Sequence, residues 1–223
     1  MNGPMMKLDF RGCYVTKGRS VVALKNFEEL FIDELKDIYD AERRITKALP
    51  KMARAASSEE LSSGFEQHLQ QTEEHINRLD RIFEMMGKTP GRKTCEAMVG
   101  LLEEGQQLMS EDAPEAIMDA ALIAAAQKVE HYEIATYGTL RDWAKLLQND
   151  EAADLLQQTL DEEGETDKKL SEIAMSLNVE ASEIDEEDEE SQERDTVTAG
   201  KRSGSSSGAS QRSSGSGNRS RSR

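Results

Sequence analysis

Six polar residues fall on the core-facing stripes of helices that are otherwise apolar on that side, and five of them are carboxylates. They are Glu42, His75, Glu130, Glu133, Glu162 and Glu163. An isolated carboxylate inside a protein is costly enough that it normally takes up a proton, and several together repel one another. Near these positions the same stripes carry no Lys or Arg, which leaves divalent cations as the source of positive charge. Glutamate and histidine ligands suit iron or manganese.

The elements that must position these residues are helices, because apolar residues recur every three or four positions through most of residues 21–179. Four segments are long, and a short one, about Thr94 to Met109, lies between the second and third. Capping residues or a proline predict where the long helices begin: Asn26, Ser58, Pro114 and Asn149. Gly87 is expected to end the second helix and Asn178 to lie near the end of the last. No segment shows the alternation of a strand, so the fold class is predicted to be all-α.

Two long helices, a crossover with one short helix and two more long helices form the arrangement of a ferritin-like four-helix bundle. A weak internal repeat, Leu69 to Thr72 against Leu156 to Thr159, is consistent with two equivalent helix pairs. Each long helix has roughly 28 to 32 residues and is about 42 to 48 Å long. The six polar residues lie near the helix midpoints, so antiparallel packing brings them to one depth.

The expected di-metal pattern of this fold is one Glu from each of two helices and Glu-x-x-His from each of the others. The sequence matches it in part: Glu130 and Glu133 are one turn apart, but the second helix offers Thr72-x-x-His75 and the last helix offers no His. The alternative for Glu162, and for Glu73, Glu74 and Glu165, is a charge on a solvated helix face. His68 and His131 are interpreted as hydrogen-bonded histidines rather than ligands.

Charge and composition divide the 223 residues into four regions. Residues 1–20 are predicted to be a disordered leader, 21–179 the bundle, 180–195 an acidic linker and 196–223 a disordered tail rich in Ser, Gly and Arg. The bundle holds 17 basic and 33 acidic residues, and the whole chain has a net charge of −16. This balance argues against a fold that binds nucleic acid through a broad basic face. The basic tail leaves open a weak contact with nucleic acid, against the alternative of a flexible solubilising extension.

Three features that the sequence lacks indicate the cellular compartment of the protein. Two cysteines, Cys13 and Cys95, do not form a disulfide framework. No apolar run approaches the length of a membrane helix, and the N-terminus has no apolar signal region. We therefore expect a cytoplasmic protein without membrane contact.

Four stretches of the chain resemble the YciE/YciF family, over about residues 26 to 176. They are Leu35 to Glu42, Lys93 to Met98, Ala124 to Leu140 and Leu156 to Glu163, of which the stretch around Glu130 is the most specific. The resemblance implies a ferritin-like bundle related to rubrerythrin, a di-iron site, a homodimer and a bacterial cytoplasmic protein linked to stress responses. Relatives often carry Glu at the positions of Gln70 and Gln71, which would deplete the second helix of ligands if either were one.

The function predicted from these observations is oxidation of Fe(II) by oxygen or peroxide at a carboxylate-bridged di-iron site, with manganese as the other candidate metal. Glu42, Glu130, Glu133 and Glu163 would be carboxylate ligands, His75 the nitrogen ligand, and Glu162 a ligand or the partner of one. Dimerisation is expected through the short helix. The alternative is a stress-associated interaction protein without enzyme activity, whose metal site has degenerated.

Overall fold

The computed structural model describes the backbone of residues 24–202 and the side chains of residues 24–183. The predicted leader, residues 1–20, and residues 203–223 of the tail lie outside the described part of the chain. Five helices follow one another: α1 Phe27–Ala55, α2 Glu59–Met85, α3 Glu96–Leu108, α4 Glu115–Leu146 and α5 Asp150–Arg202. The described residues contain no strand, which confirms the all-α prediction.

Capping side chains set the helix starts that the sequence indicates. Asn26 Oδ1 accepts a hydrogen bond from the Glu29 amide at 2.8 Å, at the N-terminus of α1. The Ser58 hydroxyl accepts one from the Leu61 amide at 3.3 Å, at the start of α2. Both satisfy amides that have no partner within their own helix. Gly87 follows α2 with φ of 63°, a left-handed conformation that ends a helix at little cost for glycine.

The last helix is longer than the sequence analysis predicts. It begins at Asp150 as expected but continues past Asn178 to Arg202, through the stretch interpreted as an acidic linker. Between residues 165 and 199 the sequence has no Gly or Pro to interrupt a helix, and Glu is a good helix former. The expectation of a break came from the loss of apolar periodicity, which removes packing but does not prevent helical backbone.

The four long helices form the predicted bundle. α1 packs beside α2, α4 beside α5, α1 also contacts α4, and α2 contacts α5. The short helix α3 lies in the crossover, against α1 and α4. The core between them is formed by fully buried side chains such as Phe31, Leu35, Ile38, Leu79, Ile82, Phe83, Leu122, Leu140 and Leu156. Burial of this apolar surface supplies most of the free energy that holds the helices in fixed positions relative to one another.

A buried carboxylate fixes one end of the bundle. Asp119 of α4 accepts hydrogen bonds from the Ser57 amide at 2.9 Å, the Ser57 hydroxyl at 2.6 Å and the Ser58 amide at 2.8 Å. These bonds attach the α1–α2 connection to the start of α4. The register between the two helix pairs is therefore set by polar contacts as well as by the apolar core.

A second polar network attaches α3. Cys95 is the N-cap of α3, and its Sγ accepts from the Met98 amide at 3.4 Å and lies 3.1 Å from the Tyr132 hydroxyl. The Tyr132 hydroxyl donates to Asp37 of α1 at 2.9 Å. Burial raises the pKa of the Cys95 thiol to about 11, with Asp37 adding to the rise, so the thiol stays protonated at neutral pH. The network connects α1, α3 and α4 beside the middle of the bundle.

None of the helices, over the residues that are described, has both the length and the apolar character needed to cross a lipid bilayer.

Candidate metal centre

Six ionisable side chains from all four long helices meet in the interior of the bundle. They are Glu42 from α1, His68 and His75 from α2, Glu130 and Glu133 from α4, and Glu163 from α5. Each is at most 4% exposed to solvent. The helical period places them on the inward faces, and the common depth of the helix midpoints brings them together.

The cluster consists of two overlapping groups of potential ligand atoms. In the first, His68, Glu130, Glu133 and Glu163 each offer an atom within 4.8 Å of the others. In the second, Glu42, His75 and Glu163 do the same. Glu163 belongs to both groups, one oxygen lying toward each histidine. If the cluster held two ions, Glu163 would be the ligand that they share.

Most of the atoms that line the cluster have no hydrogen-bond partner. Among the side chains of residues 24–183, eight buried polar atoms are unpaired, and all belong to these six residues: Glu42 Oε2, His68 Nε2, His75 Nδ1, Glu130 Oε2, both Glu133 oxygens and both Glu163 oxygens. An unpaired buried polar group costs about 1–3 kcal/mol, more when it is charged. Eight in one place is the arrangement expected of a ligand set, because lone pairs that bind an ion face a common point instead of a hydrogen.

The distances fit the same interpretation. His75 Nδ1 lies 3.0 Å from Glu163 Oε1 and 3.5 Å from Glu42 Oε1, and His68 Nε2 lies 3.3 Å from Glu130 Oε1. These atoms approach one another without the alignment of a hydrogen bond. Two ligands at about 2.1 Å from one ion and at right angles to it are about 3 Å apart. The residues present therefore fit two divalent ions.

Electrostatics in the metal-free cluster are unfavourable for the carboxylates. Burial, followed by repulsion from Glu163 and Glu42, raises the pKa of Glu133 well above its ordinary value. Burial also raises the pKa of Glu163 to about 7, although His75 acts in the opposite direction. When all four glutamates are ionised, they carry four negative charges, which two divalent ions neutralise if both histidines are neutral.

The histidines respond in the opposite sense. Burial lowers the pKa of His68, but Glu130 and then Glu163 outweigh it and raise the pKa to about 9. For His75, burial is outweighed by Glu163 and Glu42, and the pKa rises to about 11. Without a metal, protons on these rings therefore supply part of the missing positive charge.

A second layer of polar residues orients the first. His75 Nε2 lies 2.9 Å from Glu162 Oε2, so Nδ1 is the nitrogen that faces the cluster. The Tyr137 hydroxyl donates to Glu42 Oε1. His68 Nδ1 lies 3.4 Å from the Thr166 hydroxyl, which leaves Nε2 facing the cluster. Such outer contacts fix the tautomer and the orientation of a metal-binding imidazole.

Glu162, one of the six residues singled out from the sequence, lies beside the cluster rather than inside it. Its side chain is 29% exposed and forms two hydrogen bonds of 2.7 Å with the guanidinium of Arg78. Burial raises its pKa, but Arg78 and His75 outweigh burial, so the pKa of Glu162 is lowered overall. Glu162 thus contacts His75 and Arg78 and belongs to neither group of potential ligand atoms.

The sequence analysis interpreted His68 as a hydrogen-bonded histidine, whereas the structure places its unpaired Nε2 in the cluster. His68 and His75 are seven residues apart, two helical turns, so the same inward stripe of α2 carries both. That spacing was the available signal. Gln71 is half-buried and Gln70 exposed, and neither belongs to the two ligand groups. The absence of Glu at these positions therefore removes no residue from the cluster as it is observed here.

Comparisons with known proteins agree with this architecture. The family model described as Domain of unknown function (DUF892) matches residues 26–183. Protein YciF of Escherichia coli (strain K12) is 47% identical over 154 residues, which cover 69% of this chain and 93% of YciF.

Solved structures give the same result. The crystal structure of the E. coli stress protein YciF aligns with a TM-score of 0.68 at 46% identity, covering 69% of this chain and 98% of that one. YcfI from Rhodopseudomonas palustris aligns with a TM-score of 0.66 at 42% identity, with the same coverage. A dodecameric thioferritin from Bacteroides fragilis, only 13% identical, has a TM-score of 0.54 over 73% of this chain and 91% of its own, which shows the fold alone. The chain therefore belongs to the DUF892 family, the family of YciF, and has an all-α, ferritin-like fold.

Proposed function

We propose that the chain binds two iron ions in this cluster and oxidises Fe(II) with oxygen or peroxide. The observation that carries the proposal is the set of eight partnerless buried atoms on four glutamates and two histidines. The general di-metal pattern of this fold also consists of four glutamates and two histidines, with one histidine on each of two helices. In this chain both histidines are on α2, and two of the four glutamates, Glu130 and Glu133, are on α4. The composition of the ligand set is kept while its distribution differs.

Each residue has a definable task in this proposal. His68, Glu130 and Glu133 would hold one ion, Glu42 and His75 the other, and Glu163 would bridge them. The pair of ions would supply the two electrons that reduce one molecule of peroxide to water, with two protons taken up. The protein supplies a fixed geometry and a core that excludes bulk water, and Glu162 and Tyr137 hold two ligands in orientation.

Manganese is the other candidate, because it accepts the same oxygen and nitrogen ligands. The E. coli relative YciF is described as a stress protein. We extend this to the present chain as a proposal: removal of Fe(II) together with peroxide would limit oxidative damage in the cytoplasm.

The test is metal content together with Fe(II) oxidation, on protein purified anaerobically and stripped of metal. We expect two equivalents of iron or manganese per chain after loading, and oxidation of Fe(II) when peroxide or oxygen is added. Glu163→Gln should bind less than one equivalent, because the shared ligand is weakened at both positions. The matched control is Glu165→Gln, an exposed carboxylate of the same helix, which should bind as the parent does.

The alternative is a stress-associated interaction protein whose cluster is held together by protonated histidines and never binds a metal. It predicts less than half an equivalent of iron or manganese after loading, and no difference between the two variants. Binding of two equivalents without any oxidation of Fe(II) would keep the metal centre and refute the enzymatic part of the proposal.

A further inference from the structure

A groove with a basic edge lies on the outer side of the bundle, between α1 and α3, away from the metal centre. Its volume is about 390 Å³, within the range of typical ligand pockets. Four basic residues of α1 line one side: Arg43, Arg44, Lys47 and Lys51. Val99 and Leu102 of α3 contribute apolar surface. The basic residues recur every three or four positions and so share one face of α1.

The four basic residues of this groove outnumber its two acidic ones, Asp40 and Glu103. Arg44 pairs with Asp40. Within the described part of the chain, Arg43, Lys47 and Lys51 form no ion pair with a carboxylate. The bundle as a whole has nearly twice as many acidic as basic residues. A row of free cations on such a protein is the surface to which a segment rich in carboxylates would bind.

The chain itself contains such a segment. Residues 180–195 hold ten acidic residues and a single Arg. The family match ends at residue 183, so most of this segment is an addition to the family domain. Like charges three and four residues apart destabilise a helix, and positive charges from a partner would relieve that repulsion.

The acidic segment is placed to reach another molecule rather than its own groove. It belongs to α5, which packs against α2 and α4, whereas the groove lies on α1 and α3. Helix α5 continues for 19 residues after Glu183, to Arg202, which is about 28 Å at 1.5 Å per residue. Because this part is continuous with α5, it cannot turn back onto α1 of the same chain without breaking the helix.

We propose that the groove between α1 and α3 binds the acidic segment, residues 180–195, of a second copy of this chain. Two copies related by a twofold axis would make the contact twice, since each has one groove and one segment. The contact is electrostatic and involves no residue of the metal centre, so it stands or falls independently of the proposed oxidation of Fe(II).

The test is the self-association of the full-length chain, measured by sedimentation velocity over a range of protein concentrations. At 50 mM NaCl we expect a dimer, and at 500 mM NaCl at least tenfold weaker association, because salt screens exposed charges. The full-length variant Arg43→Glu/Lys47→Glu/Lys51→Glu should associate at least tenfold more weakly at 50 mM NaCl. All three side chains are exposed, and circular dichroism with a thermal melt checks that the fold is kept.

A matched control separates the groove from net charge. Lys145→Glu/Lys168→Glu/Lys169→Glu changes the net charge by the same amount at exposed positions of α4 and α5 and should associate as the parent does. Reversal of the segment, Glu186→Lys/Glu187→Lys/Glu190→Lys, should also weaken association. Mixing this variant with the groove variant should restore a heterodimer, because the unaltered segment of the groove variant then meets the unaltered groove of the segment variant.

Four results would overturn the proposal: a monomer at both salt concentrations, unchanged association after groove reversal, equal weakening by the control, or no heterodimer in the mixture. The variant lacking residues 203–223 should still dimerise. Loss of dimerisation in that variant would assign the contact to the tail and overturn the proposal as well.

Discussion

Replacing Glu133 by Leu should stabilise the metal-free protein and reduce its stabilisation by metal. Glu133 is 1% exposed, and neither of its carboxylate oxygens has a hydrogen-bond partner. Its pKa is raised by burial and by the neighbouring carboxylates, which shows that its charge is poorly tolerated there. Leu has a similar volume and no polar atom to satisfy.

The size of the effect follows from these contacts. Each unpaired buried polar group costs about 1–3 kcal/mol, and apolar replacement of buried charged groups stabilises by about 1–4 kcal/mol. We expect a gain of about 2 kcal/mol in the free energy of unfolding of the metal-free protein. For a domain of this size that raises the melting temperature by about 4–8 °C.

Metal should reverse the order of stability. For each ion, at a free metal concentration a thousandfold above its Kd, the parent protein gains about 4 kcal/mol, or about 8–16 °C in melting temperature. Glu133→Leu lacks one ligand of the first ion and should lose most of the gain from that ion. The parent is then the more stable protein with metal, and the variant the more stable one without it.

The assay is calorimetric melting of both proteins with and without anaerobic Fe(II) or Mn(II). Glu165→Leu serves as the control, because this carboxylate is exposed on α5 and its replacement should change stability by less than about 0.5 kcal/mol. A lower melting temperature of metal-free Glu133→Leu than of the metal-free parent would refute the reasoning. So would a metal-induced increase that is the same in the variant and the parent.

Three further predictions concern the surroundings of the cluster. With pKa values raised to about 9 for His68 and about 11 for His75, both rings are protonated at pH 7 in the metal-free protein, and ligands must lose their protons. Metal binding at pH 7 should therefore release at least two protons, one from each histidine, and should weaken as pH falls. Calorimetry in buffers of different ionisation enthalpy measures the number of protons released, and release of none would contradict the prediction. Glu162→Ala should weaken metal binding by about 10–100-fold while two equivalents still bind, whereas a fall to one equivalent in a metal titration would make Glu162 a ligand. Asp119→Ala, which removes three hydrogen bonds to Ser57 and Ser58, should cost about 2–4 kcal/mol in urea unfolding; a loss below about 0.5 kcal/mol would show that the α1–α2 connection does not depend on it.

The sequence alone predicts the helices and most of the buried cluster because both follow from local periodicity. Asn26 and Ser58 are capping residues that act within one turn of their own helices, so their roles need no tertiary information. Glu42, Glu130 and Glu133 share an inward stripe with apolar neighbours, and burial of that stripe is dictated by the helical period. The end of α5 was predicted wrongly, because apolar periodicity reports packing, whereas helical backbone can continue without it.

Only the tertiary structure decided which polar side chains face the same point. Glu162 and Glu163 are adjacent and about 100° apart around α5, and the rotation of α5 against α2 places one beside Arg78 and the other between the two histidines. The depth of α2 relative to α4 likewise brings His68 to Glu130, a match that depends on how far one helix slides along the other. Rotation and sliding are set by the packing of the whole core. A single helix therefore determines which of its faces is buried, and the assembled bundle determines which atoms meet there.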